Sequence, residues 1–160
     1  MKKTKLDATD IRILSAIQEH GPLSKSKLAE LVNLSPTPCW MRLDRMKKAG
    51  LIRGYHAEIS LDSVVGVCQV VVTVSLNSHR KADFERFEAR VMATDEITHC
   101  FSTGGGMDYA MTVVAPSLHD FQCLMDQLLT ENIGIERYIT YIVMRTIKSA
   151  QPNLKRLIQT

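Results

Sequence analysis

Paired cysteines are missing from this chain. Its four, Cys39, Cys68, Cys100 and Cys123, lie more than twenty residues apart and form no Cys-x-x-Cys pair, which argues against a zinc site or a disulfide framework and for buried reduced thiols. Long apolar runs are missing too. None approaches the ~20 residues of a membrane span, and the lysine-bearing start has no apolar stretch behind it of the kind a secretory signal needs, so a cytoplasmic address is expected. At 160 residues the chain has room for one ordinary domain or two small ones, which excludes a large multidomain enzyme. Disorder is excluded as well, since 45% of the residues are hydrophobic and 23% charged.

The overall charge of +3 is ordinary, but its distribution is not. Residues 1–54 hold eleven Lys/Arg against five Asp/Glu, whereas residues 66–160 hold nine against ten. Such asymmetry points to one end that meets a polyanion and another with a different task. The basic end reads as three short helices. Asp7 is a candidate N-cap for the first, with Ile11, Leu14 and Ile17 as its apolar stripe and Gly21-Pro22 as its stop. Ser24 caps a second with Leu28, Leu31 and Val32 inward, and Ser35-Pro36 places Ser at the N-cap and Pro at the first turn of a third that runs to about Ala49. Residues 52–59 alternate loosely, as a small ribbon or wing would.

Beyond Gly66 the period changes. Cys68, Val70, Val72, Val74 and Leu76 form one apolar face of a strand, with Gln69, Thr73 and Ser75 on the other. Phe84, Phe87 and Val91 mark a helix, Ile97–Ser102 and Met107–Val114 two strands joined across Gly104-Gly105-Gly106, Leu118, Phe121, Leu124 and Leu128 a second helix, and Glu136–Ile147 a last strand. The order β-α-β-β-α-β is that of a ferredoxin-like fold, two helices over one face of a four-stranded antiparallel sheet. Val71, Tyr141 and Val143 leave the other face partly apolar, which favours at least a dimer. The expected class is therefore α+β. Its expected divisions are a helix-turn-helix domain at 1–54, a connector at 55–66, a ferredoxin-like domain at 67–148 and a tail at 149–160.

Spacing on the third helix turns Cys39, Leu43 and Met46 inward and Thr37, Met41, Asp44 and Lys48 outward, flanked by Trp40 and Arg45. Two short helices joined by a tight connector, the second of them basic, are the pattern of a DNA-reading helix-turn-helix. Lys25, Lys27, Arg45 and Lys48 are then candidates for phosphate neutralisation, and side chains near the helix start for base edges. The competing reading is a solvated basic face with Trp40 packed sideways.

The stretch LSPTPCWMRLDRMKKAGLIRGYHAEISLDSVVG from Leu34 to Gly66, the opening LDATDIRIL from Leu6 and the segment TGGGMDYAM from Thr103 closely resemble the leucine-responsive (Lrp/AsnC) family of transcriptional regulators. The resemblance implies an N-terminal winged helix-turn-helix domain, a C-terminal domain that senses an amino acid or related metabolite, and assembly into dimers and often octamers. Double-stranded DNA and the small effector are the implied partners, with no cofactor and no membrane. By position it assigns Ser35, Thr37, Pro38, Trp40 and Met41 to the base-facing start of the recognition helix, and Arg42 and Arg45 to the basic positions that follow. Lys25 and Lys48 complete the DNA-binding candidates. Arg42 lies beside the buried arc, where it can instead pair with Asp44 or another acidic group.

The same resemblance places an effector site at Thr103, Gly104, Gly105, Gly106, Met107, Asp108 and Tyr109, with Met107 where relatives carry an aromatic. A zwitterionic ligand needs backbone N–H groups for its carboxylate and an acceptor for its ammonium, which the glycines and Asp108 can supply. An ordinary turn with Asp108 capping a backbone group is the alternative. Tyr109 sits where a third glycine would complete G-x-G-x-x-G, so a nucleotide phosphate loop is not expected. His99 and Cys100 point to opposite faces of a strand and cannot share a metal. Some haem-biosynthetic decarboxylases resemble this family, and His20, His56, His79, His99 and His119 keep a tetrapyrrole enzyme open as an alternative. No paired catalytic groups occur at local motif spacing, so no enzyme is expected. A ligand-binding oligomer without DNA binding is the remaining alternative.

Overall fold

The computed structural model describes residues 5–158, so the lysine-bearing start and the last two residues of the tail lie outside it. The chain divides into two compact units, one formed by residues through Glu58 together with those from Lys148 onward, the other by Ile59–Ile147.

In the first unit, α1 (Ala8–His20) starts in a reciprocal cap. Asp10 N donates to Asp7 Oδ1 at 2.8 Å and Asp7 N to Asp10 Oδ2 at 3.3 Å, which satisfies two of the orphan donors of a helix start. Gly21 ends it at φ 71°, a conformation that glycine adopts without strain. α2 (Lys25–Val32) is capped by Ser24, whose Oγ accepts from Lys27 N, and stops at Asn33 in the left-handed region at φ 53°. α3 (Pro36–Lys48) has Pro at its first turn, while the Ser35 hydroxyl makes no capping bond. Ile13, Ile17, Leu28, Ala29, Val32, Cys39, Leu43 and Met46 form the core of this unit.

The inward arc expected on α3 is observed, but the stripes of the other two helices are rotated. Ile13 is fully buried whereas Ile11 and Leu14 are only partly covered, and Leu31 is exposed while Ala29 takes its place inside. Asp10 is the reason on α1: it lies one turn before Ile13 and is itself buried, so the inward line is Asp10, Ile13 and Ile17. No strand forms at 52–59, and residues 53–60 are exposed, because no segment among the described residues pairs with them through a backbone hydrogen-bond ladder. The residues read from sequence as a separate tail contain α7 (Leu154–Ile158), which belongs to this unit and contacts α1.

The second unit begins with a short helix, α4 (Leu61–Val64), followed by β1 (Cys68–Leu76), α5 (Lys81–Met92), β2 (Ile97–Ser102), β3 (Tyr109–Ala115), α6 (Leu118–Thr130) and β4 (Ile135–Ile142). The sheet order is β2-β3-β1-β4, and each neighbouring pair is antiparallel. One face carries Val70, Val72, Val74, Leu76, Tyr109, Met111 and Val113 against Phe87 and Val91 of α5 and Phe121, Met125 and Leu128 of α6. β3 starts at Tyr109 rather than Met107. β4 stops at Ile142, five residues earlier than expected, although Val143 N still donates to Gln69 O at 2.9 Å. β1 begins at Cys68, so the chain after Val143 has nothing left to pair with.

Register puts Val71 beside Tyr141 and Thr112, and Thr73 beside Ile139 and Ala110, on the sheet face away from the helices. Tyr141, Ile139 and Phe101 of that face are exposed. Cys100 packs toward the core, while His99 lies exposed on the other side, stacked on Phe101. Of the four thiols expected to be buried only Cys39 is; Cys123 is exposed, because α6 turns Phe121, Met125 and Leu128 inward.

Candidate nucleic-acid interface and effector loop

Trp40 is the centre of the outward face of α3. Its ring has Lys25 Nζ from α2 at 4.5 Å and Lys47 Nζ from the last turn of α3 at 5.6 Å, and Lys47 also lies 5.3 Å from the ring of Tyr55. Cations over an indole face are held by its quadrupole, so the two ammonium groups and the ring fix one another. Lys25, Pro36, Thr37, Trp40 and Met41 line a small cleft of about 120 Å³ at the start of α3. Ser35 and Pro38 are exposed beside it. Neither Lys25 nor Lys47 has a carboxylate partner among the described residues. Lys47 and Tyr55 escape the sequence pattern. Their signal is faint, a lysine seven residues after the tryptophan on the same helical side.

The two arginines of α3 are differently placed from what their charge suggests. Arg42 Nη1 donates to Asp7 Oδ2 at 2.5 Å and to Asp10 Oδ1 at 2.9 Å, while Arg45 Nη2 donates to Asp10 Oδ2 at 2.7 Å. The Asp10 side chain is 2% exposed, against 34% for Arg42 and 60% for Arg45. Arg42, by its hydrogen bond first, holds the Asp7 carboxyl below its ordinary range, and its own pKa is raised in return. Arg42 thus ties α3 to the N-cap of α1, and its partners are Asp7 and Asp10 rather than Asp44. Asp44 pairs instead with Lys48, at 2.7 Å.

In the second unit the segment 103–108 folds onto the end of β1. Thr103 Oγ1 donates to Met107 O at 2.5 Å and Thr103 N to Asp108 O at 2.8 Å, closing the loop over the glycines. Gly104, Gly105 and Gly106 are exposed, and a Cβ added at any of them would meet no atom within 4 Å. Gly105, at φ 148°, is the one held in a backbone region that other residues disfavour. Met107 Sδ lies 3.6 Å from Ser75 Oγ and 3.7 Å from an Arg137 nitrogen.

Both carboxylate oxygens of Asp108 are engaged. Leu76 N donates to Oδ2 at 2.8 Å, and His79 Nε2 lies 2.9 Å from Oδ1. The backbone donor first, and His79 after it, hold this carboxyl below its ordinary range. Tyr109 is not at the loop surface. It is 2% exposed under α5, its hydroxyl donates to Glu88 at 2.8 Å, and burial pushes its phenol well above the usual range. The cause is parity, since β3 begins at Tyr109 and turns it to the helix-covered face.

A helix-turn-helix with a basic, aromatic recognition face, joined to a ferredoxin-like unit with a glycine loop, matches two family descriptions. Residues 6–53 match a winged helix-turn-helix DNA-binding domain and residues 69–152 an Lrp/AsnC ligand binding domain. The chain belongs to the Lrp/AsnC family. It is 45% identical over 144 residues to the transcriptional regulatory protein DoeX of Halomonas elongata, covering 90% of this chain and 91% of that one. To the leucine-responsive regulatory protein of Haemophilus influenzae it is 34% identical, over 89% and 86% of the two chains. A Neisseria meningitidis transcriptional regulator solved as a complex with L-Met superposes with a TM-score of 0.86 at 34% identity, over 96% of this chain and all of that one. This Lrp/AsnC chain is accordingly a DNA-binding transcriptional regulator with a ligand-binding domain. None of its described helices is long and apolar enough to cross a membrane.

Proposed function

We propose that this regulator lays α3 in the major groove of duplex DNA, and that a small amino acid or close derivative bound at the 103–108 loop sets its affinity for DNA. The observation that carries the reading is the outward face of α3, where Trp40, near the helix start that reaches base edges in this motif, is flanked by Lys25 of α2 and by Lys47 of the last turn of α3. For the effector, the support is chemical. Three exposed glycines leave room for backbone N–H groups to approach a carboxylate, and the regulator from Neisseria was solved with L-Met. Two chains are proposed to pair through the open sheet face around Val71, Ile139 and Tyr141, giving two recognition helices for two half-sites. The protein acts by binding alone, without catalysis.

One observation favours a second reading, an oligomer that senses its ligand without DNA. Arg42, Arg45 and Lys48 each face a carboxylate, which thins the charge available for phosphates. A mobility-shift series on the DNA upstream of its own gene, across salt and with a panel of amino acids that includes L-Met and L-Leu, decides between them. The proposal expects a shift that weakens steeply with salt and moves with one member of the panel. Absence of any shift at low salt, with a panel member still binding by calorimetry, would establish the second reading.

A further inference from the structure

The start of α3, through Met41, carries no side chain that reads guanine or adenine by paired hydrogen bonds. Residues 35–41 are Ser, Pro, Thr, Pro, Cys, Trp and Met, whereas such readout in the major groove uses Arg, Lys, Asn or Gln. The arginines of the next turns are held, Arg42 by Asp7 and Asp10, Arg45 by Asp10. What the helix start presents is apolar surface. Met41 is 67% exposed and lines the cleft of about 120 Å³ with Pro36, Thr37, Trp40 and Lys25. Its rim is cationic, because Lys25 stands 4.5 Å over Trp40, so the apolar floor and the flanking charge together complement a base edge beside its phosphate. In the major groove, the apolar group that a standard base edge offers is the 5-methyl of thymine.

We infer that this cleft is a thymine-methyl subsite, with Met41 and Trp40 as the side chains that set specificity there. The inference rests on the proposed docking of α3 in the major groove and adds to it which base is read and by what chemistry. A purine or a cytosine at the same place brings no methyl group to the apolar floor formed by Met41, Trp40 and Pro36. Thymine at one fixed position in each half-site is therefore the expected core of the recognised sequence.

Deoxyuridine tests this, since it differs from thymidine only by the methyl group. The intact protein is first used to enrich bound duplexes from a randomised pool, and each thymine of an enriched duplex is then replaced in turn by deoxyuridine. Losing one buried methyl is worth about fourfold in affinity, so a loss of that size is expected at one thymine per half-site and none elsewhere. Met41→Ala, on an exposed side chain that folding does not need, should bring the deoxyuridine penalty at that thymine to near onefold, and Trp40→Ala should do the same. A duplex that stays bound while every thymine tolerates the exchange would overturn the inference and leave the DNA-binding proposal standing. A penalty that persists unchanged in both variants would overturn the assignment to this cleft. Failure of any duplex to enrich would overturn the docking proposal and the inference with it.

Discussion

Asp10→Ala should make the protein less stable and, at low salt, more adherent to DNA of any sequence. The Asp10 carboxylate is 2% exposed and accepts from Arg42 at 2.9 Å, from Arg45 at 2.7 Å and from Asp7 N at 3.3 Å. Hydrogen bonds to a charged group contribute about 1.5–3 kcal/mol each, and a buried charge offsets part of that by its own desolvation. The two guanidinium groups are 34% and 60% exposed, so water replaces the lost acceptor for them. A net loss of about 2–3 kcal/mol is expected on that basis. Trp40 is the single tryptophan and lies in α3, so its fluorescence through a urea titration of the intact protein follows this unit. Asp10→Asn, which keeps shape and a capping oxygen but not charge, should fall between the two. Released from Asp10, Arg45 is free to meet a phosphate while Arg42 keeps Asp7 as its partner, and the slope of log affinity against log salt should steepen by about 0.9. An Asp10→Ala midpoint within error of the parent, at unchanged urea dependence, would refute the structural role of the ion-pair cluster. An unchanged salt slope would refute its restraint on Arg45.

Lys25→Ala and Lys47→Ala should each lower the salt slope by about 0.9, and Lys48→Ala by less because its ammonium already pairs with Asp44 at 2.7 Å. Binding isotherms from 50 to 200 mM salt check the order, and an equal effect for all three would refute it. Asp108 gives a pH prediction whose sign follows from its lowered pKa: the carboxylate's contribution is complete above the ordinary value of 3.8 and is lost as pH falls below it through the folded value. Asp108→Asn should therefore be less stable than the parent at pH 6, with the gap closing as pH is taken below about 4 in thermal melts. A gap that is constant with pH would place the effect in shape rather than charge.

How much of this was legible before folding depends on how far each signal travels along the chain. Ser24, Ser35-Pro36 and Gly21 act on their own turn of backbone, so the starts of α2 and α3 and the end of α1 follow from neighbours a few residues away. Period-two alternation likewise placed β1 and turned Cys68, Val70, Val72, Val74 and Leu76 inward before any partner strand was known. The arc of Cys39, Leu43 and Met46 was set by spacing alone.

The candidate sites were less legible because their partners come from elsewhere in the chain. Arg42 lies on the border of the buried arc, and only packing of α3 on α1, thirty-two and thirty-five residues away in sequence, selected Asp10 and Asp7 over the nearby Asp44. The same packing rotated the inward stripe of α1 from Ile11 to Ile13. Tyr109 belongs by position to the loop, yet the start of β3 and the cover of α5 put it in the core. Asp108 has a chemistry that suits an ammonium group, but the end of β1 brings Leu76 N to one oxygen and His79 to the other. Local backbone preference is encoded residue by residue, whereas the partner of a charge is chosen by which elements the fold brings within about 3 Å, and that is a property of the tertiary structure.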